Sequence, residues 1–329
     1  MKYFTPMLFT SLKGYTRQQL VKDIISGIIV AIIALPLSIA LAIASGVSPQ
    51  QGLYTAIVAG FVIAFLGGSR VNISGPTAAF ATIVAGVVAT HGTEGLILAT
   101  VMAGILLILM GICRFGALIK YIPMTITTGF TAGIAVTILV GQIKDFLGLT
   151  FAPGTNAIET GEKLEAIFES ISTFNPHALI VGCVGMAILI LWPLLGKTKW
   201  GALSTVLGKI PPSIVAVAVG ILLVQFTPLE VATIGSLYPD LKAGFPTPAL
   251  PSFDPATVKA VIPSAFTIAI LASIESLLSC VVSDGMIGDR HNSNTELIAQ
   301  GVGNVCSGLF GGIPATGIST RRNRSSTTA

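Results

Sequence analysis

The stretch PSAFTIAILASIESLLSCVV (263–282) is an apolar run with a single charged residue, Glu275. It is long enough to cross a hydrocarbon core of about 30 Å as one helix. An ionisable side chain at that depth is costly and usually faces a cavity or a partner. The alternative is a structural glutamate that is protonated or hydrogen-bonded between helices. The stretch predicts a membrane-spanning helix with Glu275 as the first candidate for function.

The composition of the whole chain also indicates a membrane environment. Of the 329 residues, 53% are hydrophobic and 10% are charged, and the mean hydropathy is +0.87. A soluble protein carries about 25% charged residues. The length fits one integral membrane domain in a lipid bilayer. The net charge of +4 is spread along the loops and gives no patch for binding nucleic acid.

Apolar runs separated by polar or Gly- and Pro-containing segments predict about nine spans. They lie near 24–45, 53–66, 74–90, 95–113, 125–143, 178–195, 211–227, 262–283 and 295–312. The segments 155–173 and 246–255 are predicted loops, the first with a short amphipathic helix. Gly129 and Gly133 have a spacing that can bring two helix backbones close, although apolar Gly-rich helices often produce it by chance.

The distribution of Lys and Arg predicts the orientation of the chain. One set of alternating loops, which includes the N-terminal tail, carries eleven basic residues, and the other set carries four. Basic loops face the cytoplasm. Residues 1–20 are therefore predicted to be a cytoplasmic segment, followed by a transmembrane domain over 21–317.

A second stretch, GGSRVNISGPTAAF (67–80), breaks the apolar pattern in a way that is typical of transporters. Pro76 suits the first turn of a helix. A helix that begins inside the membrane leaves its first N–H groups unpaired and its positive dipole end facing outward. Such a start is an anion site made of backbone, to which Thr77 adds a hydroxyl. The alternative is a re-entrant turn or an ordinary loop before a helix.

A similar break, GGIPATG (311–317), follows another apolar span. Two such breaks are what a repeated half-helix architecture would leave in a sequence, although chance could also supply the loose match. Pro36 is expected to kink the first span. If that span packs beside the half-helices, Ala40 and Leu41 would give the cavity an apolar wall.

The residues that usually carry catalysis or bind metals do not form a recognisable pattern. His91, His177 and His291 fall in predicted loops without a nucleophile or metal-ligand spacing beside them. The four cysteines form no CxxC pair, which favours reduced thiols over a disulfide or metal site. An enzyme, a cofactor and a metal are therefore not expected.

Four segments closely resemble the SulP family, also called solute carrier 26. They are GGSRVNISGPTAAF (67–80), RFGALIKYIPMTITTGFTAGIAVTI (114–138), QIKDFLGL (142–149) and the segment 265–304. The resemblance implies an all-α integral membrane transporter fold with two inverted repeats of seven segments, usually followed by a cytoplasmic STAS domain and commonly dimeric. This chain would hold the first repeat and the start of the second, with the STAS domain absent.

The resemblance also implies roles for particular residues, with the anion held between the starts of two half-helices. Glu275 would be the ion-coupling carboxylate, with Ser279 one turn further along. In bicarbonate-transporting relatives an Asp at this position helps bind sodium, so Glu favours coupling to protons, with sodium as the alternative. The implied substrate-binding residues are Thr77, Ala78, Ala79, Phe80, Ala40, Leu41, Ala315, Thr316 and Gly317.

The function implied by the resemblance is secondary active anion transport across a bacterial inner membrane. Within the family the chain is most similar to a bacterial dicarboxylate transporter, which favours proton-coupled uptake of succinate or fumarate; sulfate and bicarbonate are the alternatives. A carboxylate is costly to charge in an apolar cavity, and Glu275 could carry a proton with the anion. The tail ISTRRNRSSTTA (318–329) departs from the family pattern, since three arginines cannot form a buried half-helix. A non-transporting membrane fragment is the alternative of another class.

Overall fold

A computed structural model describes residues 4–117, 124–152, 155, 157–195, 210–239, 241 and 244–319. Most of these residues are helical, and two short strands interrupt the helices. The elements in chain order are α1 (Met7–Ser11), α2 (Arg17–Ala44), α3 (Pro49–Tyr54), α4 (Gly60–Leu66), β1 (Asn72–Pro76), α5 (Ala81–Ile112), α6 (Met124–Phe146), α7 (Thr160–Glu169), α8 (Pro176–Leu195), α9 (Pro212–Phe226), α10 (Ile234–Leu237), α11 (Pro255–Ile287), α12 (Ser293–Leu309) and β2 (Ala315–Ser319).

Several helices are long and apolar enough to cross a membrane. A π-helical turn, Thr55–Ala59, joins α3 and α4 into one segment, and a 3-10 turn, Ala78–Phe80, leads into α5. By length and composition the chain is a multi-pass membrane protein. Among the described residues the candidate spans are Arg17–Ala44, Pro49–Leu66, Ala78–Ile112, Pro176–Leu195 and Pro255–Ile287.

Each span predicted from the apolar pattern overlaps a helical segment. The spans 74–90 and 95–113 overlap the two arms of α5, although residues 74–76 belong to β1. The arms meet at Gly92, which has φ 67° and ψ −173°, a conformation that favours glycine. Helix α11 begins after Asp254, whose carboxylate accepts a hydrogen bond from the Thr257 N–H at 3.0 Å, and ends at Gly288 with φ +71°. It is therefore longer than the predicted span 262–283.

The chain divides into two compact units. The larger comprises Met1–Asp23, Ala34–Ile134 and Gly244–Ala329, and the smaller comprises residues 24–33 and 135–243. The smaller unit has its own small core, and it contains α7 in the segment where a short amphipathic helix was predicted. All the candidate site residues belong to the larger unit.

In the larger unit, α5 packs against α11 and α12. A Cβ atom on Gly104 would lie 2.6 Å from the carbonyl oxygen of Gly301, and a Cβ on Gly301 would lie 2.6 Å from that of Gly104. Among the described residues, nothing comes within 4 Å of a Cβ placed on Gly129 or Gly133. The close backbone approach therefore occurs between α5 and α12, and not at the pair of glycines that the sequence singled out.

The two strands form an antiparallel pair, which the all-helical expectation did not include. Ser74 pairs with Gly317, Gly75 with Thr316 and Pro76 with Ala315. Such pairing satisfies backbone groups that would be costly to leave unpaired inside a membrane. It lets irregular segments of both repeats lie side by side in the larger unit.

This pairing corrects one expectation. Pro76 is the last residue of β1, so the prediction that it occupies the first turn of a helix is wrong; the strand holds it in an extended conformation. Strand β2 includes Gly317 and runs to Ser319, and the domain boundary predicted at 317 stays a prediction. The remaining tail, 320–329, lies outside the described residues, as does any half-helix there.

Candidate functional site

The structure brings Thr77 and Glu275 together. Thr77 follows β1 and caps the 3-10 turn, its Oγ1 accepting a hydrogen bond from the Ala79 N–H at 3.3 Å. The same hydroxyl donates to Oε1 of Glu275 on α11 at 2.7 Å. The start of a helix and the intramembrane carboxylate, which the sequence predicted separately, therefore meet in one place.

Thr316 of β2 faces the same carboxyl group from the other strand. Its side chain is fully buried, and its hydroxyl interacts with the Glu275 carboxyl. The geometry falls short of a hydrogen bond, however: among the described residues, Thr316 Oγ1 and Glu275 Oε2 are both buried and have no hydrogen-bond partner. Buried polar atoms are almost always paired, so these two atoms indicate a place for a ligand or a proton.

Two serines of α11 hold the strands against that helix. Ser276 Oγ accepts a hydrogen bond from the Gly317 N–H at 3.1 Å, and Ser279 Oγ donates one to Asn72 Oδ1 at 2.7 Å. Gly317 must lack a side chain, because a Cβ there would lie 2.2 Å from Asn72 Nδ2. The proposed coupling residue Ser279 is thus hydrogen-bonded to Asn72 of β1.

The remaining proposed substrate-binding residues are placed differently. Ala78 and Ala79 are half-buried at the helix start. The ring of Phe80 is 1% exposed and belongs to the hydrophobic core of the larger unit. Ala40 is exposed and Leu41 is half-buried on α2, and neither forms a hydrogen bond with Thr77 or Glu275. Ala315 is fully buried, and its N–H donates a hydrogen bond to Asn304 Oδ1 at 2.9 Å.

Sequence reasoning missed a row of buried polar side chains on α12. Gln300 Nε2 donates to Ser74 Oγ of β1 at 2.9 Å, and Asn304 Nδ2 donates to the carbonyl oxygen of Ala315 of β2 at 2.9 Å. Polar residues four apart along an apolar span fall on one helix face, and that spacing is the signal that could have revealed them. The row comprises Glu296, Gln300, Asn304 and Ser307, each at most 1% exposed.

Thr77 offers a test of the pairing with Glu275. Replacing it with Val removes the hydroxyl donor, whereas replacing it with Ser keeps the donor. A hydrogen bond to a charged group contributes about 1.5–3 kcal/mol, which corresponds to roughly 10- to 150-fold in an equilibrium. If Glu275 carries the coupled proton, we expect Thr77→Val to lower the proton concentration for half-maximal uptake by that order, because the lost hydrogen bond stabilises the ionised carboxylate, and Thr77→Ser to stay close to wild type. Equal behaviour of both variants in uptake by proteoliposomes would argue against a role for the hydroxyl.

Comparison with known proteins gives consistent matches over most of the chain. A sequence profile of the sulfate permease family matches residues 20–324. The Bacillus subtilis protein YvdB is 39% identical over 314 residues, covering 94% of this chain and 56% of its own length. The bicarbonate transporter BicA of Picosynechococcus is 35% identical over 306 residues, covering 90% of this chain and 51% of its own length.

A solved structure of a bicarbonate transporter has a similar fold to this chain. The transmembrane domain of a cyanobacterial bicarbonate transporter BicA superposes with a TM-score of 0.74 at 28% sequence identity, covering 93% of this chain and 76% of that domain. The plant relative "Sulfate transporter 4.1, chloroplastic" of Arabidopsis thaliana is 31% identical over 307 residues, covering 91% of this chain and 43% of its own length. The chain spans about half the length of the curated relatives it matches.

Proposed function

Because the chain belongs to the sulfate permease family, we propose that it forms the membrane part of a secondary active transporter for a small anion. The observation that carries this proposal is the 2.7 Å hydrogen bond between Thr77 at a helix start and the intramembrane carboxylate Glu275. The N-terminus of a helix favours negative charge. Beside the pair, Glu275 Oε2 and Thr316 Oγ1 are buried without a hydrogen-bond partner among the described residues, which supports a proton or a ligand binding there.

The same geometry supports coupling of the anion to a proton. An ionised Glu275 would itself occupy the positive end of the helix and would repel an approaching anion. A protonated Glu275 is neutral and removes that repulsion, so that the proton and the anion bind favourably together. Glu275 would act as the proton carrier; sodium is the alternative coupling ion.

The candidate substrates are sulfate, bicarbonate and a dicarboxylate. One relative is a sulfate transporter by name and another is a bicarbonate transporter. The sequence resemblance favours a dicarboxylate such as succinate or fumarate. All three are oxyanions, which backbone N–H groups at a helix start bind in the same way.

The proposal is tested by uptake into proteoliposomes. Labelled sulfate, bicarbonate and succinate are supplied separately, with and without an inward proton gradient and with and without sodium. We expect one of them to accumulate, and to accumulate faster with the proton gradient. A parallel preparation carries a longer chain with a family-type second half. Uptake by the longer chain alone would favour the non-transporting alternative for this chain, and no uptake of any anion by either would contradict the proposal.

A further inference from the structure

We infer that Asn72 is a positioning residue that sets the direction of the hydrogen bond at Ser279, so that Ser279 faces the candidate site as an acceptor only. Asn72 belongs to β1 and lies between α11 and α12. Its Nδ2 donates to Glu296 Oε1 at 3.1 Å, and its Oδ1 accepts from Ser279 Oγ at 2.7 Å. We call the two hydrogen bonds of Asn72, to Glu296 and from Ser279, the relay. The consequence for transport rests on the proposed function, whereas the relay itself does not.

The orientation of the Asn72 amide follows from the buried Glu296. Oε2 of Glu296 accepts a hydrogen bond from the Gly68 N–H at 2.8 Å, and its Oε1 accepts one from Gln300 Nε2 at 2.9 Å. A carboxylate can accept hydrogen bonds but has none to donate. Asn72 must therefore present its nitrogen to Glu296 and its oxygen to Ser279, which resolves the usual ambiguity between the two ends of an amide.

The fixed amide determines what Ser279 can do. A serine hydroxyl has one hydrogen and two lone pairs, and Asn72 Oδ1 takes the hydrogen. Only lone pairs remain for the candidate site, where Glu275 lies one helical turn away. A lone pair can accept a hydrogen bond from a protonated carboxyl group or coordinate a cation, but it repels an anion.

The site is thereby divided into two faces of opposite preference. The helix start that follows Thr77 presents its positive dipole end and suits the anion, while Ser279 offers an acceptor and suits the positive coupling partner. The ionisable groups around Ser279 in the described part of the chain include Glu275 and Asp284 on the same helix and Glu296 on α12. The adjacent thiol of Cys280 also belongs to them; its sulfur lies 3.4 Å from Asn72 Nδ2. Glu296 is linked to Ser279 through Asn72.

An exchange of chemical groups tests the relay. Asn72→Asp places two carboxylates face to face, whereas adding Glu296→Gln lets an amide at 296 donate to the carboxylate at 72. The second oxygen of that carboxylate still accepts from Ser279, and the total charge is that of the wild type. We expect Asn72→Asp to shift the proton concentration for half-maximal uptake at least about tenfold, equivalent to one hydrogen bond of about 1.4 kcal/mol. The double variant should recover most of that shift, with the half-saturating anion concentration little changed throughout.

Ser74→Ala is the matched control for a purely structural effect. It removes the 2.9 Å hydrogen bond to Gln300 from the same strand without touching Asn72 or Ser279. We expect it to leave the proton dependence unshifted, even if the maximal rate falls. A double variant no better than Asn72→Asp, or Asn72 variants that only lower the maximal rate as Ser74→Ala does, would overturn the inference.

A measurement without transport separates this inference from the proposed function. If the wild-type chain takes up none of the anions, the proposed function fails, and the relay is tested by thermal unfolding in detergent. Asn72→Ala, Ser279→Ala and the combined variant form a double-mutant cycle. We expect the combined variant to lose less in thermal unfolding midpoint than the sum of the two single variants, because each single substitution removes the same hydrogen bond. Additive losses would contradict the relay.

Discussion

Glu275→Gln is expected to abolish the accumulation of anion that an inward proton gradient drives. Glutamine has nearly the shape of a protonated glutamate, and its oxygen can still accept the hydrogen bond that Thr77 donates at 2.7 Å. It cannot take up or release a proton. Binding of the anion should therefore persist with little dependence on pH, while concentrative uptake falls to background. The measurement is uptake into proteoliposomes over a range of external pH.

Asp284→Asn serves as the control for this variant, since it removes another carboxylate from α11. Asp284 Oδ2 lies 2.7 Å from Nδ1 of His291, and this pair is separate from the Thr77–Glu275 pair. We expect the Asp284 variant to retain uptake that depends on the proton gradient. A Glu275→Gln variant with the full pH dependence of the wild type would show that another group carries the proton.

Gly301→Ala is expected to destabilise the protein far more than the same change at Gly129. A Cβ on Gly301 would lie 2.6 Å from the carbonyl oxygen of Gly104 and 2.7 Å from the Ile108 amide nitrogen, both of them backbone atoms that cannot rotate away. Helices α5 and α12 would have to move apart. Overpacking of this kind costs about 1–3 kcal/mol, and here the loss of close helix contact adds to it.

Gly129→Ala is the comparison variant for Gly301→Ala, because the two substitutions should change the stability of the protein in opposite directions. Nothing lies within 4 Å of a Cβ at Gly129 among the described residues. Alanine is favoured over glycine in a helix interior by about 1 kcal/mol. The thermal midpoint in detergent should therefore fall for Gly301→Ala and stay the same or rise for Gly129→Ala. Equal midpoints would mean that α5 and α12 do not pack as closely as described.

The sequence predicted the helices well because spans depend on a local property. Apolar runs of sufficient length give nearly the same bounds as the helices, as with 178–195 against Pro176–Leu195. The resemblance of four segments to the SulP family is confirmed by the match over 20–324. Its narrower suggestion of a dicarboxylate substrate stays a prediction.

The strand pair could not be predicted, because its stability comes from partners far away in the sequence. NISGP and ATGIS are short, contain glycine and show no alternation of apolar and polar residues. The same limit explains Glu296: its partners Gly68 and Asn72 come from the other repeat. Glu275 could be predicted because it is the only charged residue of the apolar run 263–282. Glu296 lies near the polar start of the predicted span 295–312 and is not conspicuous there.

The antiparallel pairing of β1 with β2 also has a consequence for biosynthesis. As the ribosome makes the chain from its amino terminus, β1 enters the membrane long before β2 exists. Until then the backbone of β1 has no partner strand, and unpaired N–H and C=O groups are costly in apolar surroundings. Contacts between such distant segments form slowly. We therefore expect the backbone of β1 to stay in contact with water or with the insertion machinery until β2 has been made.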